Sequence, residues 1–275
     1  MCETQHFSKI GIERDPRVPK TFRQAAIIPA WKEAIDKECE KFSKHSCFTL
    51  APYNGQHLVP MMWTFTIKTE GTFKARLVGR GDLMIPFVDF NPNKTCCGNV
   101  SATSIKIAAK YKLTMRGDDL EGAYLVTKGD KNYPVFIKTP EGYYVPPGMC
   151  IQAVGNCYGF PMSGRTFSLK LNAILYQCGY STTPRDEKLL YKWKSKRIML
   201  IIVHSDDFRW FGDKQDIAEW DHILTTFNEH DYKVTDCTDK EFVGIRITCD
   251  ENSNYFMDQT RMIEAVLEGI GMRNT

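Results

Sequence analysis

Apolar positions along the chain switch between a helical and a strand-like period, and the switches mark out an order of elements. Trp31, Ile35 and Phe42, with Ala34 and Cys39, fall near one face of a helix over residues 30–42. Lys32, Glu33, Asp36, Lys37 and Glu40 lie outside that face, and Pro29 stands where a helix can begin. Up to about Ile28 charge is mixed with Pro16 and Pro19 without a sustained period, which reads as a loosely attached arm over residues 1–28. Two strand-like runs, 61–68 and 72–78, are joined by Thr69-Glu70-Gly71, a hairpin loop in length and glycine, and form a basic β-ribbon. Residues 100–112 carry Ala102, Ile105, Ala108, Ala109 and Tyr111 in a helical pattern, and a second helix is expected over 165–178, ended by Gly179.

Ile198 to Val203 is an unbroken apolar, β-branched run, which suits a central strand covered on both faces. It stops at His204-Ser205-Asp206-Asp207, and Phe208-Arg209-Trp210-Phe211 resumes a strand pattern, so the acidic pair falls at the turn of a largely apolar hairpin. Beyond it the pattern predicts a helix over 213–227, short strands at 232–235, 242–248 and 255–257, and a final helix over 260–269. The fold class is mixed α+β, with one intact core and a projecting ribbon and no internal repeat.

Composition narrows this only a little. A chain of 275 residues, 43% hydrophobic, can bury a substantial core in one large domain or two subdomains. The formal charge of +3 is too small to argue for a nucleic-acid partner, so any binding groove must come from charge placement. The 10 cysteines include no C-x-x-C pair and no cysteine–histidine cluster at zinc spacing, and read as reduced, mostly buried thiols. No signal peptide follows Met1, and the longest apolar run is too short to cross a bilayer. An intracellular protein without a membrane partner is expected.

Two acidic sites interrupt apolar segments: Asp119, in Gly117-Asp118-Asp119-Leu120, and the Asp206-Asp207 pair. Unpaired buried carboxylates are costly unless a cation or hydrogen bonds compensate them. Hard oxygen ligands of this kind suit Mg²⁺ in a two-metal nucleotidyl-transfer site. Adjacent strand residues point to opposite sides, so Asp206 and Asp207 are not equivalent. Asp206 is expected to join Asp119 as the main bridging ligand, with Asp207 secondary. An acidic pair between two strands is also an ordinary solvated turn, and the carboxylates alone do not decide between these.

Taken in order, the segments resemble the copia-type retrotransposon reverse transcriptase domain across nearly all of residues 30–272. Trp31-Lys32-Glu33-Ala34 is similar to its opening W-x-E-A helix, Met62 to Lys68 to its K-W-V-F-K-I-K strand, and Lys74-Ala75-Arg76-Leu77-Val78 to K-A-R-L-V. Asp119 to Leu125 resembles D-V-K-N-A-F-L, which carries the first catalytic aspartate. Tyr158-Gly159 with Arg165 and Phe167 resembles Y-G-L-K-Q-A-P-R-A-W. His204 to Asp207 stands where the family has Y-V-D-D, Phe242 to Ile247 resembles F-L-G-I-E-I, and Gly271-Met272 closes the match.

The resemblance implies an RNA-directed DNA polymerase with a right-hand fold of fingers and palm and at most the start of a thumb. The palm would be an antiparallel sheet packed on helices. The reverse transcriptase domain would span 29–272, with fingers at about 29–112 and 126–165 and palm at about 113–125 and 166–259. A C-terminal helix within 260–275 would lead towards the thumb. The implied catalytic residues are Asp119, Asp206 and Asp207. Two Mg²⁺ ions, or Mn²⁺ in their place, would be held by Asp119, the Leu120 backbone carbonyl and Asp206. Lys74, Arg76, Tyr124, Tyr158 and Gly159 would meet the deoxynucleoside triphosphate, and His204 and Ser205 the primer end. The partners would be an RNA or DNA template with its primer and dNTPs, and the location the cytoplasm, a virus-like particle or the nucleus.

Taken singly, Lys74 and Arg76 are a solvated strand face, Tyr124 is a core aromatic, and Tyr158-Gly159 is a turn. The sequence departs from the family at His204 and Ser205, and at Pro161-Met162-Ser163-Gly164 in place of Lys-Gln-Ala-Pro. Its counterpart of T-F-A-P-V, around Thr95 to Val100, is loose. Family polyproteins continue into RNase H and also carry protease and integrase, which are absent here, so a fragment, a decayed copy or a reused domain is expected. The alternative to an active polymerase is a catalytically silent domain of the same fold that binds nucleic acid or protein.

Overall fold

A computed structural model describes residues 15–68, 71–84, 98–129, 133–238, 241–270 and 272, with the side chains of 98–100 excluded. Residues 1–14 of the expected arm, Thr69 and Glu70 of the ribbon loop, the loosely matched residues 95–97, and Gly271 lie outside the described residues, as do Cys2, Cys96 and Cys97.

In chain order the elements begin with α1 (Phe22–Ala26), α2 (Pro29–Lys44), β1 (Phe48–Pro52), β2 (Leu58–Val59), β3 (Met61–Ile67), β4 (Phe73–Gly79), α3 (Gly98–Lys110), β5 (Thr114–Glu121) and α4 (Ala123–Val126). They continue with β6 (Val135–Ile137), β7 (Met149–Ala153), α5 (Pro161–Gln177), β8 (Ser181–Thr182), β9 (Leu189–Lys194), β10 (Arg197–His204) and β11 (Asp207–Gly212). The last are α6 (Ile217–Glu229), β12 (Lys233–Asp236), β13 (Glu241–Phe242), β14 (Ile245–Cys249), β15 (Tyr255–Asp258) and α7 (Thr260–Gly269). The chain divides into two compact units. The first holds the described residues up to 84 and 124–167, and the second holds 98–123 and those from 168 onward.

In the first unit α2 starts with Pro29 at its first turn, where the missing N–H has no helical partner to lose. Its exposed face carries the ion pairs Lys32–Asp36 and Glu33–Lys37, each four residues apart. Its buried face lays Trp31 edge-on against Phe65 at 5.5 Å and Phe73 at 4.8 Å, both on the β3–β4 ribbon. Removing a side chain buried this completely would cost about 3–5 kcal/mol. Along β4 the alternation is clean: Ala75 and Leu77 are buried while Arg76 is exposed. The ribbon is therefore covered on one face by a helix. A separate sheet, in the order β1-β7-β6-β2, encloses Phe42, Val59, Leu77, Ile137 and Ile151. The sequence reading contained no counterpart of this sheet.

The second unit is built on a six-stranded sheet in the order β12-β5-β11-β10-β9-β8, antiparallel at each pairing. On one face Met115, Leu200, Ile202 and Phe211 pack with Ile105 and Ala108 of α3 and with Phe242 and Ile247. On the other, Phe208 meets Trp220 at 5.3 Å and Phe227 at 5.4 Å, and Trp210 meets Trp220 at 5.9 Å, so α6 lies there. This explains the apolar run of β10, which is buried on both sides.

Several expectations need correction. Where one intact core was expected, the described residues of each unit hold hydrophobic clusters of their own. The strand expected over 242–248 is two strands, because Val243 and Gly244 both adopt positive φ, 54° and 73°, and close a two-residue turn with Phe242 opposite Ile245. The helix expected from 165 begins at Pro161, since proline is tolerated in a first turn. Asp213 to Asp216 form a cap and a 3₁₀ turn before α6, with the Asp213 carboxylate accepting from the Gln215 N–H.

Candidate active site

β10 and β11 pair so that His204 is opposite Asp207, leaving Ser205 and Asp206 as a two-residue loop with Ser205 at φ 57°. The acidic pair is thus divided: Asp206 is in the loop, and Asp207 opens the returning strand. The next strand, β5, brings Asp119 opposite Asp207, and β12 brings Thr235 opposite Asp119. One row across four strands therefore reads Thr235, Asp119, Asp207, His204, all on the same face. Directly opposed residues of an antiparallel pair have Cβ atoms about 4.5–5.5 Å apart. The tip is tied to β5 by the Leu120 N–H, which donates to the Asp206 carbonyl at 2.9 Å. Asp118, next in sequence to Asp119, points to the other face, opposite Asp236.

The electrostatics follow from this row. Burial pushes the Asp207 carboxyl up to about 7, and the neighbouring charges of Asp119 and Asp206 add to that, while Arg209 opposes it. Arg209 is two residues along β11 on the same face. It is fully buried, and its Nη1 donates to the Asp207 carboxylate at 2.5 Å and to the Phe208 carbonyl at 3.0 Å. Its guanidinium carbon is 4.9 Å from the centre of the Phe242 ring. The cross-strand partner of Arg209 is Gly117, and a Cβ there would lie 2.7 Å from three atoms of the arginine side chain. The absent side chain of Gly117 is the cradle for Arg209. On the opposite face burial lifts Asp118 to about 7, helped by the facing Asp236 and opposed by Arg209 and Arg116.

The donors of this row are hard carboxylate oxygens, and mutual repulsion between Asp119, Asp206 and Asp207 is what a divalent cation would relieve. The residues fit such a cation by chemistry. Among the described residues no group of three or more His, Cys, Asp or Glu side chains is gathered closely enough to hold an ion as the side chains stand. His204, expected at the primer end, lies edge-on to Phe242 at 6.3 Å. The described cysteines, Cys39, Cys47, Cys150, Cys157, Cys178, Cys237 and Cys249, are free thiols.

The nucleotide-binding expectations fall in the first unit, and most of them come together there. Arg76 places its guanidinium carbon 5.6 Å from the centre of the Tyr158 ring. Tyr158 meets Tyr124 edge-on at 5.8 Å, and Tyr124 meets Phe167 at 5.5 Å. Gly159 has φ 84°, and a Cβ there would lie 2.2 Å from the Gly79 carbonyl oxygen. The Gly79 N–H donates to the Tyr158 carbonyl at 2.7 Å, so this turn is locked to the end of β4. Lys74 is two residues from Arg76 on the same face of β4, partly buried. On the other side of the ribbon Glu38 of α2 accepts from the Leu77 N–H at 3.2 Å, and burial raises its carboxyl.

The profile of a family described as Reverse transcriptase (RNA-dependent DNA polymerase) matches residues 48–275. The chain belongs to that family. No curated protein matches the sequence. The activity class of that family is RNA-directed DNA synthesis, whose substrates are a nucleic-acid template, a primer and dNTPs and whose usual cofactors are divalent metals. No helix among the described residues is long and apolar enough to cross a membrane.

Two residues of this candidate site carry no assignment from the sequence alone. Arg209 was visible as the one charge in Phe208-Arg209-Trp210-Phe211, and a period of two places it on the face of Asp207. Gly117 gave no local signal, because its role depends on a strand pairing across more than 90 residues.

Proposed function

We propose that the chain is the polymerase domain of a copia-type retrotransposon reverse transcriptase, joining a deoxynucleotide to a primer 3′-hydroxyl on an RNA or DNA template. The observation that carries this reading is the cross-strand register of Asp119 with Asp207 beside the Asp206 turn, in a chain whose residues 48–275 match the reverse transcriptase family. On this reading the first compact unit, with ribbon and α2, is the fingers, and the second, with the six-stranded antiparallel sheet, is the palm. On this reading α3 belongs with the palm, and α7 leads towards a thumb.

Asp119, Asp206 and the Leu120 carbonyl are the groups that would hold Mg²⁺ or Mn²⁺, with Asp207 beside them. When bound, such ions lower the cost of deprotonating the attacking hydroxyl and offset charge on the triphosphate and leaving group. The protein's own contribution is placement. The hairpin tip, tied through the Leu120 N–H, fixes the carboxylates on rigid backbone. Arg76 and Lys74 supply cations for the triphosphate. Tyr124, braced by Tyr158 and Phe167, gives a wall against a ribose 2′-hydroxyl, and Gly159 keeps that wall tight against β4. His204 and Ser205 adjoin the primer end.

Primer extension on an RNA template with Mg²⁺ or Mn²⁺ tests the proposal. The expected result is dNTP-dependent product that D206N abolishes; no product, or product unchanged by D206N, would refute it. The second reading, a silent domain of the same fold that binds nucleic acid or protein, is favoured by the Arg209–Asp207 pair, which gives one carboxylate a counter-charge from the protein itself. It predicts salt-sensitive duplex binding without incorporation.

A further inference from the structure

We propose that Arg209 is a positioning residue that withholds Asp207 from the divalent cation, so that ion binding rests on Asp119 and Asp206. The inference rests on the metal-binding reading of this end of the sheet. Arg209 has no exposed surface, while the Asp207 side chain keeps 23% of its own. A buried guanidinium is always charged and must be compensated where it lies. Among the described residues, the guanidinium is set against the Asp207 carboxylate, the Phe208 carbonyl and the face of the Phe242 ring. Gly117 leaves the space for this arrangement, since any side chain there would occupy the position of the arginine. The guanidinium is therefore built into the sheet rather than laid on its surface.

The consequence is a competition for one carboxylate. A divalent ion drawing on Asp207 has to share its oxygen with a cation that cannot leave, because leaving would strand a buried charge. Asp206 differs, since it lies in the loop between β10 and β11, whereas the ion pair with Arg209 is made by Asp207. Arg209 thus divides the acidic pair into one residue committed to internal charge balance and one available to an ion. Its substitution should change cation affinity in a direction that a merely structural role would not produce.

The test is a Mn²⁺ titration of the full chain, read by calorimetry and by the shift of the melting temperature, on the wild type and on R209M, R209K, R209M/D207N and D119N. R209M frees Asp207 and is expected to bind Mn²⁺ about tenfold more tightly. R209M/D207N is expected to return to the wild-type affinity. R209K keeps the charge without the planar fork and is expected to gain about threefold, which serves as the deciding variant if R209M does not fold. Unchanged or weaker affinity in R209M and R209K, or a gain that survives D207N, would overturn the inference. D119N is expected to lose Mn²⁺ binding; if it does not, the metal reading itself fails, independently of Arg209.

Discussion

Arg76 in the first unit and Arg209 in the second each lay a guanidinium over an aromatic ring, 5.6 Å from Tyr158 and 4.9 Å from Phe242. Their access to water separates them. Arg76 is on the exposed face of β4, so an anion arriving from solution can reach it. Arg209 has no exposed surface and is bound to an internal carboxylate, because an uncompensated buried charge is too costly to keep. The same residue type on the same kind of ring is thus open to solvent in one place and bound into the protein's own charge balance in the other. Strand alternation decides which, and the net charge of +3 carries no trace of it.

Four substitutions would break or sharpen this contrast. The largest effect on stability is expected at Gly159, where φ 84° and the 2.2 Å approach to the Gly79 carbonyl leave no room for a Cβ. G159A should cost about 3 kcal/mol in chemical denaturation; a loss under about 1 kcal/mol would mean that the Tyr158 turn beneath Arg76 is not locked to β4. G117A should cost about 2 kcal/mol by overpacking against Arg209. Most of that cost should vanish in the G117A/R209M background, and additive costs would show that Gly117 is not the arginine's cradle.

A pH titration of stability, compared between wild type and D118N, tests Asp118. Its folded-state carboxyl is raised to about 7, so its contribution to stability is complete below the ordinary carboxylate range and is lost as pH rises through about 7. In chelator-treated protein D118N should reduce the loss between pH 4 and pH 8 by on the order of 1–2 kcal/mol, while Asp207, also raised to about 7, keeps its own share. A wild-type limb that D118N leaves intact would contradict the assignment. The smallest stability effect is expected for R76Q, within about 0.5 kcal/mol of wild type. Its dNTP KM should nevertheless rise about tenfold through loss of a charged contact, and an unchanged KM would remove Arg76 from the nucleotide site.

Local patterning carried much of the fold. The Ile198 to Val203 run and the charged break after it outlined a buried hairpin, and the periodicity of Trp31, Ile35 and Phe42 outlined α2, because both signals lie within a few neighbouring residues. The Phe42–Ile151 core around β1, β2, β6 and β7 was not legible, since those strands are short and β1 pairs with β7, and β2 with β6, over about 78 to 105 residues. The same limit applies at the site. The sequence supplied three aspartates, but which of Asp206 and Asp207 lies opposite Asp119 depends on the register between β5 and β11. That register, in turn, brings Gly117 under Arg209.

Asp118 and Asp119 provide the most direct test of the central claim, because they are adjacent in sequence and face opposite sides of one strand. Single-nucleotide extension of a primed RNA template in Mn²⁺ should proceed in the wild type, stay within about threefold in D118N, and fall by about a thousandfold in D119N. No extension by the wild type, or extension that survives D119N and is lost in D118N, would contradict the account.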